Sequence, residues 1–190
     1  MLQNALNQAK SYMKEIVLPE DHVVDATAGN GHDTLFLARL VGKNGKVTAF
    51  DIQAAAIDAT RERLVREQAI HQVTLYHGSH ADLSTVVTLP IRAAMFNLGY
   101  LPGADRSITT TSDSTWTAIL GTLNLLLPGG RTVIVLYHGH ESGKRERERV
   151  LQQVADLPQE QFQVLHTAFL NQQNSPPELV VIEKKKQPVR

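Results

Sequence analysis

The sequence predicts an α/β fold in which a mostly parallel, doubly wound sheet ends in an antiparallel hairpin. Short segments rich in β-forming residues alternate with longer segments whose apolar residues recur at helical spacing, which is typical of parallel βαβ units. The last two predicted strands, 163–169 and 179–183, have no helix between them, so we expect them to pair antiparallel. A length of 190 residues suits a single domain over residues 1–190.

The elements of this fold follow from the pattern in chain order. The parallel strands are predicted at residues 23–24, 47–50, 73–76, 93–96 and 132–136, and the helices at 34–40, 54–68 and 110–127. In the second helix Ile57, Leu64 and Val65 are expected to share one face, and Pro128 with the two following glycines is expected to stop the third. Residues 1–18 are expected to hold an N-terminal helix and 184–190 a frayed tail.

The C-terminal pair of strands narrows the fold class. They are joined by the polar, proline-containing stretch 171–177. A parallel sheet completed by an antiparallel hairpin is the layout of the Rossmann-like class I methyltransferases, and it is less usual for dehydrogenases. The sequence therefore predicts the class I fold of methyltransferases that use S-adenosylmethionine (SAM).

Composition excludes several function classes. The chain has no Cys, which excludes disulfide scaffolds, thiol nucleophiles and Cys-ligated zinc. The 19 basic and 19 acidic residues balance, which argues against binding to nucleic acid by bulk charge but leaves local patches open. No signal peptide or membrane-length apolar run is apparent, and a cytoplasmic protein is expected.

A glycine-rich turn after the first strand predicts a cofactor site. Gly29 and Gly31 allow a close backbone approach, and the following helix N-terminus offers free N–H groups to an anion. The second strand ends at Asp51, twenty residues after Gly31, where a carboxylate suits the two hydroxyls of a ribose. A purely structural turn is the alternative for the glycines taken alone. The predicted cofactor contacts in these two segments are Asp25, Thr27, Gly29, Asn30, Gly31, Asp33, Thr34, Asp51, Ile52 and Gln53.

The identity of the cofactor is suggested by one missing glycine. A nicotinamide fingerprint requires glycine where this chain has Thr34, which argues against a dinucleotide oxidoreductase and for a smaller anion such as the SAM carboxylate. Asn30, Asp33 and Thr34 would surround the methionine end, with Asp33 a candidate for its ammonium group. Ser79 and His80, after the third strand, are candidate contacts to the adenine edge.

The fourth strand ends in a segment that predicts the reaction. Asn97-Leu98-Gly99-Tyr100 has the spacing of amine methyltransferases, an Asn or Asp separated by two residues from an aromatic, although Leu-Gly stands where Pro-Pro is usual. The Asn97 oxygen and the Leu98 carbonyl would accept N–H bonds from a substrate amine, and Tyr100 would pack on a flat base. A plain β-turn is the alternative. Asn97 and Tyr100 are the predicted catalytic residues, and Asn97 is also expected to touch the cofactor.

Two loops are predicted to face the same crevice. One contains Asp105 and Arg106, and the other contains His138 and His140. The two histidines of the second loop lack a third ligand, so a metal is not expected there. A role as proton acceptor, or a contact to a base or a phosphate, fits them better. His138 or Asp105 is the expected proton acceptor. The local cations expected near the crevice mouth are Arg106, Lys144, Arg145 and Arg147.

Five segments together resemble one known family. Residues 25–34, 49–53, 96–103, 137–140 and 171–177 resemble the YtqB/MnmM family, whose members have been labelled rRNA methylases, and the resemblance runs from about residue 21 to 184. It implies SAM as methyl donor, a homodimer, and methylation of 5-aminomethyl-2-thiouridine at the wobble position in the anticodon loop of tRNA. Arg106 stands where the family tends to have Lys, and the segment up to Ile16 matches least.

Two alternatives to the tRNA reaction stay open: methylation of rRNA or of a small-molecule amine, and a non-catalytic nucleotide-binding module, against which the Asn97 segment argues.

The predicted substrate contacts extend over four segments. The predicted contacts are Leu98, Gly99, Tyr100, Pro102, Asp105, Arg106, His138, His140, Asn171 and Gln172.

Overall fold

The computed structural model describes residues 2–99 and 112–186. Seven strands and six α-helices follow one another in these ranges, with short 3₁₀ turns at Ile70–Gln72 and His80–Asp82. The elements in chain order are α1 (Ala5–Lys14), β1 (His22–Asp25), α2 (His32–Val41), β2 (Lys46–Asp51), α3 (Ala54–Arg66), β3 (Val73–His77), α4 (Leu83–Val86), β4 (Ile91–Leu98), α5 (Ser112–Leu125), β5 (Leu126–Leu136), α6 (Glu141–Ala155), β6 (Phe162–Thr167) and β7 (Glu178–Lys184).

The strands form one sheet in the order β3-β2-β1-β4-β5-β7-β6. The first five in this order pair parallel, whereas β7 pairs antiparallel with both β5 and β6. The predicted fold class is therefore confirmed. Because the strands β1 to β5 run in one direction, their carboxyl ends meet at a single edge, which is where α/β sheets bind ligands.

Apolar side chains cover both faces of the sheet. On one face Leu83, Ile119, Leu123 and Val150 of the helices α4, α5 and α6 pack against the sheet. On the other face the helices α1, α2 and α3 contribute Ala9, Met13, Leu37, Leu64 and neighbours. Consecutive residues of β4 alternate between the two layers, since Met95 lies in one and Phe96 in the other.

Three predicted details differ from the structure. Val65 is 57% exposed and does not share the buried face of Ile57 and Leu64, because it lies about 100° around the helix from Leu64. α5 ends at Leu125, before Pro128, because Leu126 already pairs with Ile91; the proline and glycines lie instead at an irregularity of the β4–β5 ladder. β6 ends at Thr167, two residues earlier than predicted.

The helix α1 is shorter than the predicted segment 1–18 and is firmly attached to the sheet. Asn4 caps its start by accepting a bond from the Asn7 N–H at 2.9 Å. Near its end, Arg131 of β5 donates to the Tyr12 carbonyl at 3.1 Å and pairs with Glu15 at 2.6 Å. The same guanidinium bonds Glu183 of β7 at 2.7 Å, so α1 is held to two strands.

Within residues 2–99 and 112–186, no helix has both the length and the apolar character needed to cross a membrane.

Candidate active site

The glycine-rich turn between β1 and α2 forms one wall of the crevice. Gly29 and Gly31 have φ values of 53° and 76°, a left-handed backbone that favours glycine. Gly31 stands at the N-cap of α2 and makes no side-chain capping bond. The first N–H groups of α2 are therefore not capped by the side chain of their N-cap residue and are suited to an anionic ligand group.

Helix α3 holds this turn from outside. The Thr60 hydroxyl donates to the Gly29 carbonyl at 3.0 Å, and Arg63 Nε donates to the Asn30 carbonyl at 2.6 Å. A Cβ on Gly31 would lie 2.9 Å from the Thr60 Cα, which is too close for any side chain. The turn is therefore fixed by a tight contact between two backbones, and neither Thr60 nor Arg63 was expected from the sequence to matter for the site.

Asp51, at the end of β2, joins the turn to the start of α3. One carboxylate oxygen accepts from the Gly29 N–H and the other from the Gln53 N–H, both at 2.9 Å. An ionised carboxylate has about four lone-pair sites, so these two bonds leave acceptor capacity for ribose hydroxyls. Ile52 follows with 37% of its surface exposed.

Asp25 and Thr34 differ from the prediction that they contact a cofactor. Both are fully buried, and the Thr34 hydroxyl donates to the Asp25 carboxylate at 2.6 Å. The other Asp25 oxygen accepts from the Thr27 N–H at 3.1 Å. Burial raises the pKa of Asp25 to about 7, with the charges of Asp33 and Asp51 acting in the same direction against these hydrogen bonds. The two side chains thus support the turn from beneath.

Asn97, at the end of β4, is fixed on both its backbone and its side chain. Its N–H donates to the Thr27 hydroxyl at 2.8 Å, and its Nδ2 donates to Asp33 Oδ2 at 2.9 Å. Among the described residues, no donor reaches its Oδ1. The other oxygen of Asp33, predicted to bind the ammonium group of the cofactor, lies 2.9 Å from Lys10 Nζ of α1.

The two residues after Asn97 lie against the backbone of Tyr137. The Leu98 carbonyl accepts the Tyr137 N–H at 2.8 Å in the β4–β5 ladder and its side chain is buried, so only the second lone pair of the carbonyl oxygen is left for the expected substrate contact. Gly99 has φ 116°, and a Cβ there would lie 2.6 Å from the Tyr137 carbonyl oxygen. Only glycine fits this close approach of the two strand ends.

Ser79 and His80 lie after β3 and are both engaged. The Ser79 hydroxyl oxygen accepts the Ala81 N–H at 3.1 Å and so caps the short turn. His80 is 5% exposed and its Nδ1 donates to the Ala26 carbonyl at 3.2 Å. Burial lowers the pKa of His80, which favours the neutral ring, and no hydrogen-bond partner within residues 2–99 and 112–186 reaches its buried Nε2.

A buried carboxylate binds several side chains beside the carboxyl end of β5. Glu178, the first residue of β7, is 8% exposed; its Oε2 accepts from Arg147 Nε at 2.9 Å and His166 Nε2 at 2.7 Å. His138 Nε2 donates to the Pro176 carbonyl at 2.9 Å and lies 3.3 Å from Glu178 Oε1. Burial alone would raise the pKa of Glu178, but Arg147 and the histidines outweigh it and lower that pKa.

The other predicted contacts are distributed as follows. Asn30 and His140 are exposed at the crevice edge, and Asn171 and Gln172 are exposed on the connection between β6 and β7. Tyr100, Pro102, Asp105 and Arg106 lie outside the described residues. In the ranges that the structure describes, no group of three His, Cys, Asp or Glu side chains could hold a metal ion.

Comparison with known proteins places these features in a family. The family model described as “Putative rRNA methylase” matches residues 47–183, and the ubiE/COQ5 methyltransferase family model matches residues 3–90. A chloroplastic protein of Arabidopsis thaliana named tRNA (mnm(5)s(2)U34)-methyltransferase is 37% identical over 160 residues, or 78% of this chain. The chain spans only 58% of that relative's length.

Two solved structures match over almost their whole length. A “putative rRNA-methylase” of Clostridium thermocellum is 44% identical with a TM-score of 0.95, and the match covers 97% of this chain and 99% of that one. A “putative methyltransferase” of Streptococcus mutans, in complex with SAH, is 40% identical with a TM-score of 0.89 and the same coverage. The resemblance inferred from the five motifs is confirmed, and the chain belongs to the family described as “Putative rRNA methylase”.

Proposed function

We propose that this chain is a SAM-dependent N-methyltransferase that converts 5-aminomethyl-(2-thio)uridine to 5-methylaminomethyl-(2-thio)uridine at the wobble position of tRNA. The observation that carries the proposal is the fixed amide of Asn97, whose nitrogen is bonded to Asp33 while its oxygen receives no bond from the residues that the structure describes. The name of the Arabidopsis relative supports the substrate, and the SAH complex of the Streptococcus mutans relative supports the cofactor.

The crevice has the donors and acceptors that SAM requires. The uncapped N-terminus of α2 suits its carboxylate, Asp51 suits its ribose hydroxyls, and the exposed side of Ile52 suits its adenine. When bound, SAM supplies a methyl group on a sulfonium that is already activated for transfer. The buried Nε2 of His80 is an acceptor of the kind that an adenine amino group needs.

Asn97 directs the substrate amine. An aliphatic amine resembles lysine, with a reference pKa of ~10.4, so it arrives mostly protonated and must lose a proton before it reacts. A desolvated crevice lowers that pKa, and Asn97 Oδ1 binds one N–H so that the lone pair faces the methyl group. Positioning of this kind contributes up to ~7–11 kcal/mol in well-aligned cases. Packing of Tyr100 on the uracil ring remains a prediction.

His138 is the described group best suited to accept the amine proton, with Asp105 the alternative. Its Nε2 already carries a proton, since the Pro176 carbonyl and Glu178 are both acceptors. Nδ1 is therefore the basic nitrogen of the ring. The Glu178 carboxylate, 3.3 Å from Nε2, helps to fix the orientation of the ring.

The proposed partner is the anticodon loop of tRNA, bound by a homodimer with two copies of the site. Lys144 and Arg145 are exposed near the start of α6 and suit phosphate contacts, whereas Arg147 is bonded to Glu178. A net charge of zero favours few phosphate contacts, with unstacked bases supplying the rest of the recognition. Binding should therefore depend only weakly on salt.

The test compares Asn97→Ala with Asn44→Ala, a surface control whose amide bonds Glu20 at 3.2 Å. Each variant receives SAM and tRNA from a deletion strain, and nucleoside mass spectrometry follows the 5-aminomethyl nucleoside. Asn97→Ala should abolish transfer while SAH affinity, measured by calorimetry, stays near that of the wild type. Full turnover by Asn97→Ala would contradict the role of the amide.

The same assay separates the other functions. Transfer to rRNA or to a small-molecule amine, with none to tRNA, would identify a different substrate for the same site. SAH binding without transfer to any amine would indicate a non-catalytic binding module.

A further inference from the structure

Lys10 lies on α1, outside every segment that predicted the site, yet its ammonium group contacts Asp33. We propose that Lys10 is a positioning residue for methyl transfer, acting through Asp33 to set the orientation of the Asn97 side-chain amide. The inference rests on the proposed function in one respect: the group that Asn97 binds is taken to be a substrate amine.

Asp33 links the two residues because one of its oxygens is hydrogen-bonded to Asn97 and the other forms an ion pair with Lys10. Oδ2 accepts from Asn97 Nδ2 at 2.9 Å, and Oδ1 lies 2.9 Å from Lys10 Nζ. A carboxylate only accepts, so it selects the nitrogen of the Asn97 amide and turns the amide oxygen away. If Asp33 rotated or lost its charge, either orientation of the amide would become available.

The ammonium group of Lys10 is held in place from several sides. It lies 5.4 Å from the centre of the Phe36 ring, one turn after Asp33 on α2. Ala9 and Met13 bury the neighbouring face of α1, and Arg131 binds the end of that helix. Only 27% of the Lys10 side chain and 11% of the Asp33 side chain are exposed, so this pair differs from a solvated surface ion pair.

Charge explains why a cation is needed at this point. Asp33 and Asp51 both act on Asp25, so three carboxyl groups lie close together beneath the glycine turn. Among the described residues, Lys10 is the cation that forms an ion pair with this group of carboxylates. Its charge offsets the repulsion that would otherwise drive Asp33 away from its bond to Asn97.

The test uses Lys10→Met, with Lys14→Met as the matched control. Lys14 is one turn further along α1 and lies 5.9 Å from the same Phe36 ring. Single-turnover methylation of tRNA should slow by about tenfold or more in Lys10→Met, because a small displacement of an orienting group has an effect of this size. SAH affinity should stay unchanged, Lys14→Met should resemble the wild type, and Lys10→Arg should restore much of the rate.

A second readout needs no RNA. In the SAH complex, the Asn97 side-chain NH₂ signal, identified by its loss in Asn97→Ala, should exchange slowly with water in the wild type and in Lys14→Met. It should exchange faster in Lys10→Met. If the wild type fails to methylate tRNA but this difference is seen, the proposed substrate is wrong and the positioning role stands.

A double-mutant cycle completes the test. Lys10→Met should have little further effect in an Asp33→Asn background, because a neutral amide at position 33 both donates and accepts and so no longer selects one orientation of the Asn97 amide. Additive effects of the two substitutions would overturn the proposal. A loss of SAH affinity that accounts for the slower transfer would also overturn it and would make Lys10 a direct cofactor ligand. An unchanged rate and an unchanged Asn97 signal in Lys10→Met would also overturn it.

Discussion

Replacing Gly31 by Ala should loosen the wall of the cofactor crevice. Gly31 has φ 76°, and a left-handed backbone costs an L-residue roughly 1–2 kcal/mol. The new Cβ would also lie 2.9 Å from the Thr60 Cα, and overpacking against a backbone costs typically about 1–3 kcal/mol. The free energy of unfolding should therefore fall by about 2–5 kcal/mol in Gly31→Ala.

The matched control is Gly129→Ala, because Gly129 has nearly the same φ of 78°. A Cβ there meets Lys186 Cε at 2.8 Å, the far end of a flexible side chain that can move away. We expect this variant to lose only the backbone contribution of about 1–2 kcal/mol.

Urea unfolding gives both free energies, and calorimetry gives the affinity for SAH. Gly31→Ala should weaken SAH binding by about tenfold, equal to about 1.4 kcal/mol, because the turn must shift away from α3. Gly129→Ala should bind SAH like the wild type. Equal losses of stability in the two variants, with equal SAH affinity, would refute the reasoning from the contact with Thr60.

Three further substitutions probe single carboxylates. Because the pKa of Asp25 is about 7 in the folded protein and 3.8 in the unfolded chain, the stability it contributes is present below pH 3.8 and lost as the pH rises through 7. In urea unfolding, the free energy of unfolding of Asp25→Asn should therefore rise relative to that of the wild type by up to about 4 kcal/mol between pH 4 and 8. A difference that stays constant over this range would contradict the reasoning. Asp51→Ala should weaken SAM binding in calorimetry, and unchanged binding would exclude the ribose contact. Glu178→Gln should lower the free energy of unfolding by about 1–3 kcal/mol at neutral pH. Since the folded pKa of Glu178 is lowered, its contribution is present above its unfolded value of 4.5 and should fade as the pH falls through the folded value, and a loss that persists in acid would argue against it.

The parts of the site that follow from strand ends could be predicted from the sequence. Gly29, Asp51 and Asn97 each follow or end a strand with a β-forming pattern, and the carboxyl ends of parallel strands must meet at one edge. The hydrophobic period therefore located the fold and the crevice together. It did so although helix and strand ends such as Leu125 and Thr167 were missed by two residues.

The direction of each side chain and backbone group could not be predicted in the same way. Thr34 is in the first turn of α2, and that turn packs back over the end of β1, so its hydroxyl meets Asp25 and not the crevice. The Leu98 carbonyl bonds the Tyr137 N–H because β4 still pairs with β5 at that point. Both outcomes depend on which neighbour each element packs against.

Lys10 and Glu178 carry no local signal at all. Lys10 belongs to a helix whose path over α2 is decided by the packing of Ala9 and Met13 on the sheet. Glu178 meets His138 and Arg147 only because β7 lies beside β5. Contacts between segments so distant in sequence are fixed by tertiary packing, and no spacing of residue types reveals them.

The position of β7 has a consequence for synthesis of the protein. It is the last of the described strands along the chain, yet it lies between β5 and β6 and is the strand that joins β6 to the sheet. During translation, the backbone groups of β5 and β6 that bond β7 therefore stay unpaired until residues 178–184 have left the ribosome. Unpaired strand edges are prone to pair with other chains. A product that ends before Glu178 would retain those edges and would lack the carboxylate that holds His138. The same seven residues thus cover the edges of β5 and β6 and supply the carboxylate that holds His138.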